Sequence, residues 1–185
     1  MGIDRDTCLG ELNGFIGSYL GWKNISMIEL GNQILDNNET GKKYFSDLGV
    51  NHISIDLNGE DGALPLDLCS EIKGIPPVDI VTNFGTSEHV NNQFHCWKNI
   101  HNFTLRGGLI FNVVPHSGHW PNHCDHWYTL DFFNRLSELN KYEILKNEIY
   151  KNPPYVGDKA LIMCVLRKIH NNDFNGIDQS TLASR

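Results

Sequence analysis

Four of the nine histidines lie in one stretch, His116-Ser-Gly-His119-Trp-Pro-Asn-His123-Cys124-Asp-His126-Trp127-Tyr128. Earlier in the chain, Glu88-His89 puts an acid directly beside another imidazole. Imidazole titrates near neutral pH, so one of these rings is suited to take a proton from a substrate hydroxyl or amine. His89, His119 and His123 are the candidates for that role. Imidazole, thiolate and carboxylate are also transition-metal ligands. The spacing His-x2-His-x3-His-x2-His matches no common zinc motif, and the intervening Trp, Pro and Gly imply an irregular loop, so no residue is assigned to a metal. A third reading has the rings packing with Trp120, Trp127 and Tyr128 and satisfying loop carbonyls. Spacing alone leaves all three open.

A second group of candidates consists of acids at the ends of apolar runs: Glu29, Asp56 and Asp67. One carboxylate accepts two parallel O–H donors, which suits an acid ending a strand to the paired hydroxyls of a ribose. The turn after Leu30 has no GxGxxG pattern, so no close pyrophosphate cradle is expected. The ligand expected is a nucleoside with a cationic or zwitterionic arm rather than a dinucleotide.

These residues need elements to hold them. Ser26-Met-Ile-Glu-Leu30, His52-Ile-Ser-Ile-Asp-Leu57 and Val78-Asp-Ile-Val-Thr-Asn-Phe84 read as strands, and Ala63-Leu-Pro-Leu-Asp-Leu68 as a short edge strand marked by Pro65. Gly107–Pro115 is apolar enough for a strand buried on both faces. Helices are expected over 36–48, 88–104 and 129–140. In the last, Thr129 caps a stripe of Leu130, Phe133, Leu136 and Leu139. Tyr142–Tyr150 and Lys159–Lys168 are joined too closely for a helical crossover and should pair antiparallel. Alternating strands and helices argue for a doubly wound α/β sheet, with ligands beyond the carboxyl ends of the parallel strands.

In order and spacing, the chain resembles the class I S-adenosylmethionine-dependent methyltransferases over roughly residues 24–168. The residues that carry the resemblance are Met27-Ile-Glu-Leu-Gly31, Ile55-Asp56, Leu64-Pro-Leu-Asp67, Val78–Asn83 and Gly107-Gly-Leu-Ile110. It implies a doubly wound, seven-stranded, mostly parallel sheet of order 3-2-1-4-5-7-6, with strand 7 antiparallel and helices on both faces. S-adenosyl-L-methionine is the implied cofactor. By position, Glu29 and Gly31 would line its methionyl arm, Asp56 would hold its ribose hydroxyls and Asp67 would sit at its adenine edge, with Leu57 a further cofactor contact. Asn83 and Phe84 would lie beneath the sulfonium. The carboxylates of Glu29 and Asp56 are thus expected to converge on one cleft. Asn32 and Gln33 stand where the family often has further glycines, and Asn tolerates left-handed backbone well. Only 25 residues precede the first strand, so the substrate pocket is expected to be open, or completed by a second copy in a homodimer. The reading that follows is methyl transfer to a small-molecule acceptor. The alternatives kept beside it are a metal-binding enzyme or module using the His116–His126 loop, and a non-catalytic methyltransferase-like partner subunit.

Length and composition fit this reading. The 185 residues carry 40% hydrophobic and 20% charged residues, with a net charge of −7 and a pI near 5.6. A chain this long buries roughly 70% of its unfolded surface and needs no staple. Residues 1–169 are expected to form one domain, with a helical segment in 1–25, and 170–185 a loose polar tail. The few basic residues are scattered, so no face for a nucleic-acid backbone is legible. No run approaches the ~18–20 apolar residues of a membrane span. The first residues lack the pattern of a signal peptide, and five cysteines without CxxC spacing suit reduced thiols, so a cytoplasmic location is expected. Cys96 and Cys124 each follow a histidine and are nominal nucleophiles, while Cys69 and Cys164 read as core.

Overall fold

In the computed structural model, residues 8–21, 24–35, 37–151 and 160–176 are described. Six strands form one sheet: β1 (Ser26–Leu30), β2 (Asn51–Ile55), β3 (Val78–Phe84), β4 (Thr104–Pro115), β5 (Tyr142–Lys151) and β6 (Ala160–Lys168). Their order is β2-β1-β3-β4-β6-β5. The first four are parallel, and β6 lies antiparallel between β4 and β5. The closing antiparallel pair is as expected.

The strand count is not. The expected third strand, 63–68, is one parallel bridge between Ile55 and Leu64, so the sheet has six strands rather than seven and its order runs over six. Leu64 donates its N–H to Ser54 and accepts from Asp56 N. The N–H that would extend the ladder is that of Leu66, and the chain turns at Pro65 so that it donates back to Leu64 O at 2.9 Å.

The period of two along the central strands divides the core into two layers. Met27, Ile80, Phe111 and Met163 face Leu12, Ile16 and Phe45 on one side. Ile28, Val81, Ile110 and Cys164 face Trp97, Phe103, Phe132 and Leu136 on the other. The first layer is covered by α1 (Gly10–Phe15), which continues as a π-helical turn over Ile16–Leu20, and by α2 (Gly41–Asp47). The second is covered by α3 (Gln93–Phe103) and α4 (Leu130–Asn140).

Three of these helices start at side-chain caps: Thr40 accepts from Lys43 N, Asn92 from His95 N and Thr129 from Phe132 N. The first two caps shorten the helices expected over 36–48 and 88–104. Residue 36 itself lies outside the described residues. In α4 the buried positions are Phe132, Phe133, Leu136, Ser137 and Asn140, while Leu139 is 45% exposed. The apolar face is therefore rotated from the expected stripe.

Residues 170–176 are docked rather than loose. Asn175 exchanges hydrogen bonds with Asn140, His101 Nε2 is 2.8 Å from the Asn172 carbonyl, and Phe174 packs on Phe94 and His101. The rest of the expected tail lies outside the described residues. Among the described residues no helix is long and apolar enough to cross a membrane.

Candidate functional site

A cavity of about 530 Å³ opens beyond the carboxyl ends of β1, β2 and β3. Its floor is the turn after β1. Gly31 has φ +81° and donates its N–H to Ile55 O at 2.8 Å. A Cβ there would stand 2.6 Å from Thr86 Oγ1 and 2.7 Å from Gln33 Nε2, so both conformation and space require glycine. Thr86 Oγ1 donates to Leu30 O at 2.8 Å, and Gln33 Nε2 lies 3.3 Å from both Thr86 Oγ1 and Leu30 O. The β1 turn and the loop after β3 are thereby tied together at the base of the cavity.

Asp56 follows β2 and lines the cavity wall. Its Oδ2 accepts from Asn32 N at 2.9 Å and its Oδ1 from Asn58 N at 3.0 Å. Each oxygen uses one lone pair on the backbone and keeps one for a ligand. Leu57, 70% exposed, stands at the rim. Asp67 lies across from them, its Oδ1 accepting from Cys69 N at 2.8 Å. Ile55, Leu66, Leu68 and Val90 give this part of the wall its apolar character.

Gly31, Asp56, Leu57, Asp67 and His89 of the sequence candidates therefore meet at one cavity. Glu29 does not. It is fully buried on the α2 side of β1, its Oε2 3.6 Å from His52 Nε2 and 3.5 Å from Gln33 N. Burial raises its pKa, and the neighbouring His52 partly offsets this. Convergence of the two carboxylates on the cleft holds for Asp56 alone; Glu29 supports the turn from behind.

Asn83 and Phe84 lie beneath the cavity without lining it. Phe84 packs on Phe111 in the opposite core layer. Asn83 is fully buried: its Oδ1 accepts from Ser87 N, and its Nδ2 donates to Ser87 Oγ and Asn112 Oδ1. The Tyr128 hydroxyl sits 2.8 Å from both Ser87 Oγ and Gln93 Oε1, and Gln93 Nε2 donates to Ser87 O and Val90 O. This network fixes the 85–90 loop, which presents Glu88 and His89.

His89 lines the cavity, and its ring meets that of His123 edge-on with centroids 5.2 Å apart. Burial, then the adjacent His123, lowers its pKa, so the ring is neutral at neutral pH. His119 does not line the cavity; its ring is beside His116, with centroids 5.3 Å apart. The 116–128 loop is held to the 85–90 loop through Glu88, whose carbonyl accepts from Asp125 N and His126 N. Glu88 is fully buried, and burial pushes its carboxyl up to about 7.

Of the cysteines, Cys69 packs partly buried against the core, as expected, and also lines the cavity. Cys96 is fully buried with its thiol pushed up by burial, which removes it as a nucleophile. Cys124 is also buried and directs its Sγ at His126 O. Gln33, Thr86 and Val90 line the cavity without being among the candidate site residues; Gln33, in the turn where the family often has a glycine, and Thr86, directly after Gly85, carry a local signal, and Val90 does not.

The same fold recurs in solved structures of low sequence identity. One is 1,6-didemethyltoxoflavin-N1-methyltransferase from Burkholderia thailandensis, with bound 1,6-didemethyltoxoflavin and S-adenosylhomocysteine. It aligns at TM-score 0.65 and 12% identity, covering 89% of this chain and 80% of that one. A SAM-dependent methyltransferase from Archaeoglobus fulgidus aligns at 0.64 and 12%, covering 89% and 95%. The fold is that of class I S-adenosylmethionine-dependent methyltransferases. A third example, geranyl diphosphate C-methyltransferase from Streptomyces coelicolor in complex with Mg2+, geranyl diphosphate and S-adenosylhomocysteine, aligns at 0.57 and 8%, covering 86% and 80%. No family model and no curated protein matches the sequence.

Proposed function

We propose that the protein binds S-adenosylmethionine in the cavity above β1 and β2 and transfers its methyl group to a small-molecule acceptor. The observation that carries this reading is Asp56, which lines the cavity, turns both carboxylate oxygens to backbone N–H groups and retains a lone pair on each. Those lone pairs accept the two ribose hydroxyls. Gly31 lets the chain run close to the methionyl arm. Asp67 accepts from the adenine amino group, and Leu57 covers one adenine face from the rim. Neighbours of the same fold with S-adenosylhomocysteine bound support the choice of nucleoside.

When bound, the cofactor supplies a methyl group already activated on a sulfonium. What remains for the protein is to align the acceptor, exclude water and handle one proton. His89 is the candidate catalytic histidine that borders the cavity. Its depressed pKa keeps the ring neutral near pH 7, the form whose lone pair accepts a proton or coordinates a cation. His123 stands next to it. His119, directed toward His116, is not used in this reading.

Equilibrium dialysis with labelled S-adenosylmethionine tests the binding half. A panel of small hydroxyl-, amine- and carboxylate-bearing acceptors, read by S-adenosylhomocysteine release, tests the transfer half. The reading expects saturable binding and turnover with a member of that panel. Absence of binding by folded protein would overturn it.

A further inference from the structure

We propose that Glu88, His89 and His123 form a binding site for one divalent transition-metal ion at the acceptor end of the cavity. Ligand atoms of the three side chains all lie within 4.8 Å of one another. They come from two loops fixed independently of any ion: the 85–90 loop by the Asn83–Ser87–Tyr128–Gln93 network, and the 116–128 loop by its two N–H bonds to Glu88 O. Two imidazoles and one carboxylate are a donor set suited to Zn2+, Fe2+, Co2+ or Mn2+, with coordination positions left over for substrate.

The second observation is Glu88 itself. Its side chain is fully buried, and neither carboxylate oxygen has a hydrogen-bond partner in another residue. Its own backbone N–H is the one donor acting on it, and a buried carboxylate so poorly partnered is costly and rarely left so. A cation beside His89 and His123 supplies the missing partner. Residue types leave a metal reading open for the His116–His126 loop, but Glu88-His89 and His123 are separated by α3 and β4 and fit no contiguous metal motif, so spacing does not single out this set.

His89 borders both the proposed ion and the cavity, so an acceptor in the cavity would reach a free coordination position of the ion from the His89 side. This part of the inference rests on the methyltransferase reading, and it narrows the acceptor to a small molecule that offers an oxygen ligand. Coordination lowers the pKa of a bound hydroxyl, which gives its proton to water through the open mouth. The oxygen then attacks the methyl carbon: the C–O bond forms, the C–S bond breaks, and its electron pair passes to sulfur. The imidazole lone pairs are engaged by the ion, whose acidifying effect takes over the work of a base.

The test uses tag-free, chelator-treated protein titrated with Zn2+ by calorimetry and with Co2+ by visible absorption, each with and without S-adenosylhomocysteine. The expected result is one ion per chain, with affinity reduced at least about 100-fold in both Glu88→Gln and His123→Ala. His123→Ala alters a half-buried loop and serves if the buried Glu88→Gln change prevents folding. Absence of stoichiometric binding, or binding undiminished in the folded variants, overturns the site. S-adenosylhomocysteine binding is scored separately: its retention without metal binding sinks only this inference, and its loss sinks the methyltransferase reading while leaving the ion site to stand on its own titration.

Discussion

At the scale of single residues, Asp56 and Gly31 bear most of the functional claim. Asp56→Ala removes the acceptor of the ribose hydroxyls and is expected to weaken S-adenosylhomocysteine binding by about 1–3 kcal/mol, measured by calorimetry. Gly31→Ala forces a left-handed backbone and a Cβ against Thr86 Oγ1. The expected cost is about 1–3 kcal/mol of stability in urea denaturation, accompanied by loss of cofactor binding. The strand-end residues Gly31 and Asp56 could be read from sequence because topology alone sends strand ends to the ligand side of such a sheet, and Asp67 reaches the same cavity although 63–68 forms no strand. Glu29 could not: it lies two residues from Met27 and shares that face of β1, which turns it toward α2, Phe45 and His52. Asn83 and Phe84 fall to opposite faces of β3 for the same reason, and neither reaches the cavity. The latch made by Gln33 and Thr86 joins residues far apart in sequence and left no periodic signal.

At the scale of elements, the loops at the site are only as rigid as the buried polar network below them. Tyr128→Phe strips a partner from Ser87 and Gln93 and is expected to cost about 1–3 kcal/mol in chemical denaturation. The seam between α3, β5 and residues 172–175 has a pH dependence of its own. His101 is buried between Tyr142 and the Asn172 carbonyl, and burial, then the Lys168 cation, lowers its pKa to about 4. An unfolded histidine titrates near 6.5. Between those values the unfolded chain binds the additional proton, so stability is full above pH ~6.5 and falls as pH drops toward 4. The loss is expected to be on the order of 2 kcal/mol, and His101→Gln should flatten this part of the pH profile of urea midpoints. Docking of this segment was not legible, because its contacts are Asn–Asn exchanges and one aromatic, Phe174, rather than a repeating apolar pattern. The caps at Thr40, Asn92 and Thr129 set helix starts that periodicity placed too early or only approximately; Thr129 alone was anticipated.

For the whole molecule, the central strands were readable because each is apolar on both faces, and the antiparallel closing pair because its connection is short. The missing seventh strand shows the limit of such reading: Ala63–Leu68 has strand composition, yet the chain turns at Pro65, Leu66 N bonds back to Leu64 O, and the ladder ends after one bridge. The product is a sheet covered on two faces, whose carboxyl edge remains open as one cavity. A ligand that binds this cavity only in the folded state should raise the unfolding temperature. At a hundredfold excess over its dissociation constant the gain is about 2.7 kcal/mol, or roughly 5–10 °C for a chain of this size by differential scanning fluorimetry. The most direct measurement is calorimetric titration of S-adenosylhomocysteine into wild-type protein and into Asp56→Ala. Binding of one molecule per chain at ~micromolar dissociation constant, weakened about tenfold or more in the variant, is the expected result. No heat with folded wild-type protein at ~1 mM ligand, or equal affinity in the two proteins, would contradict it.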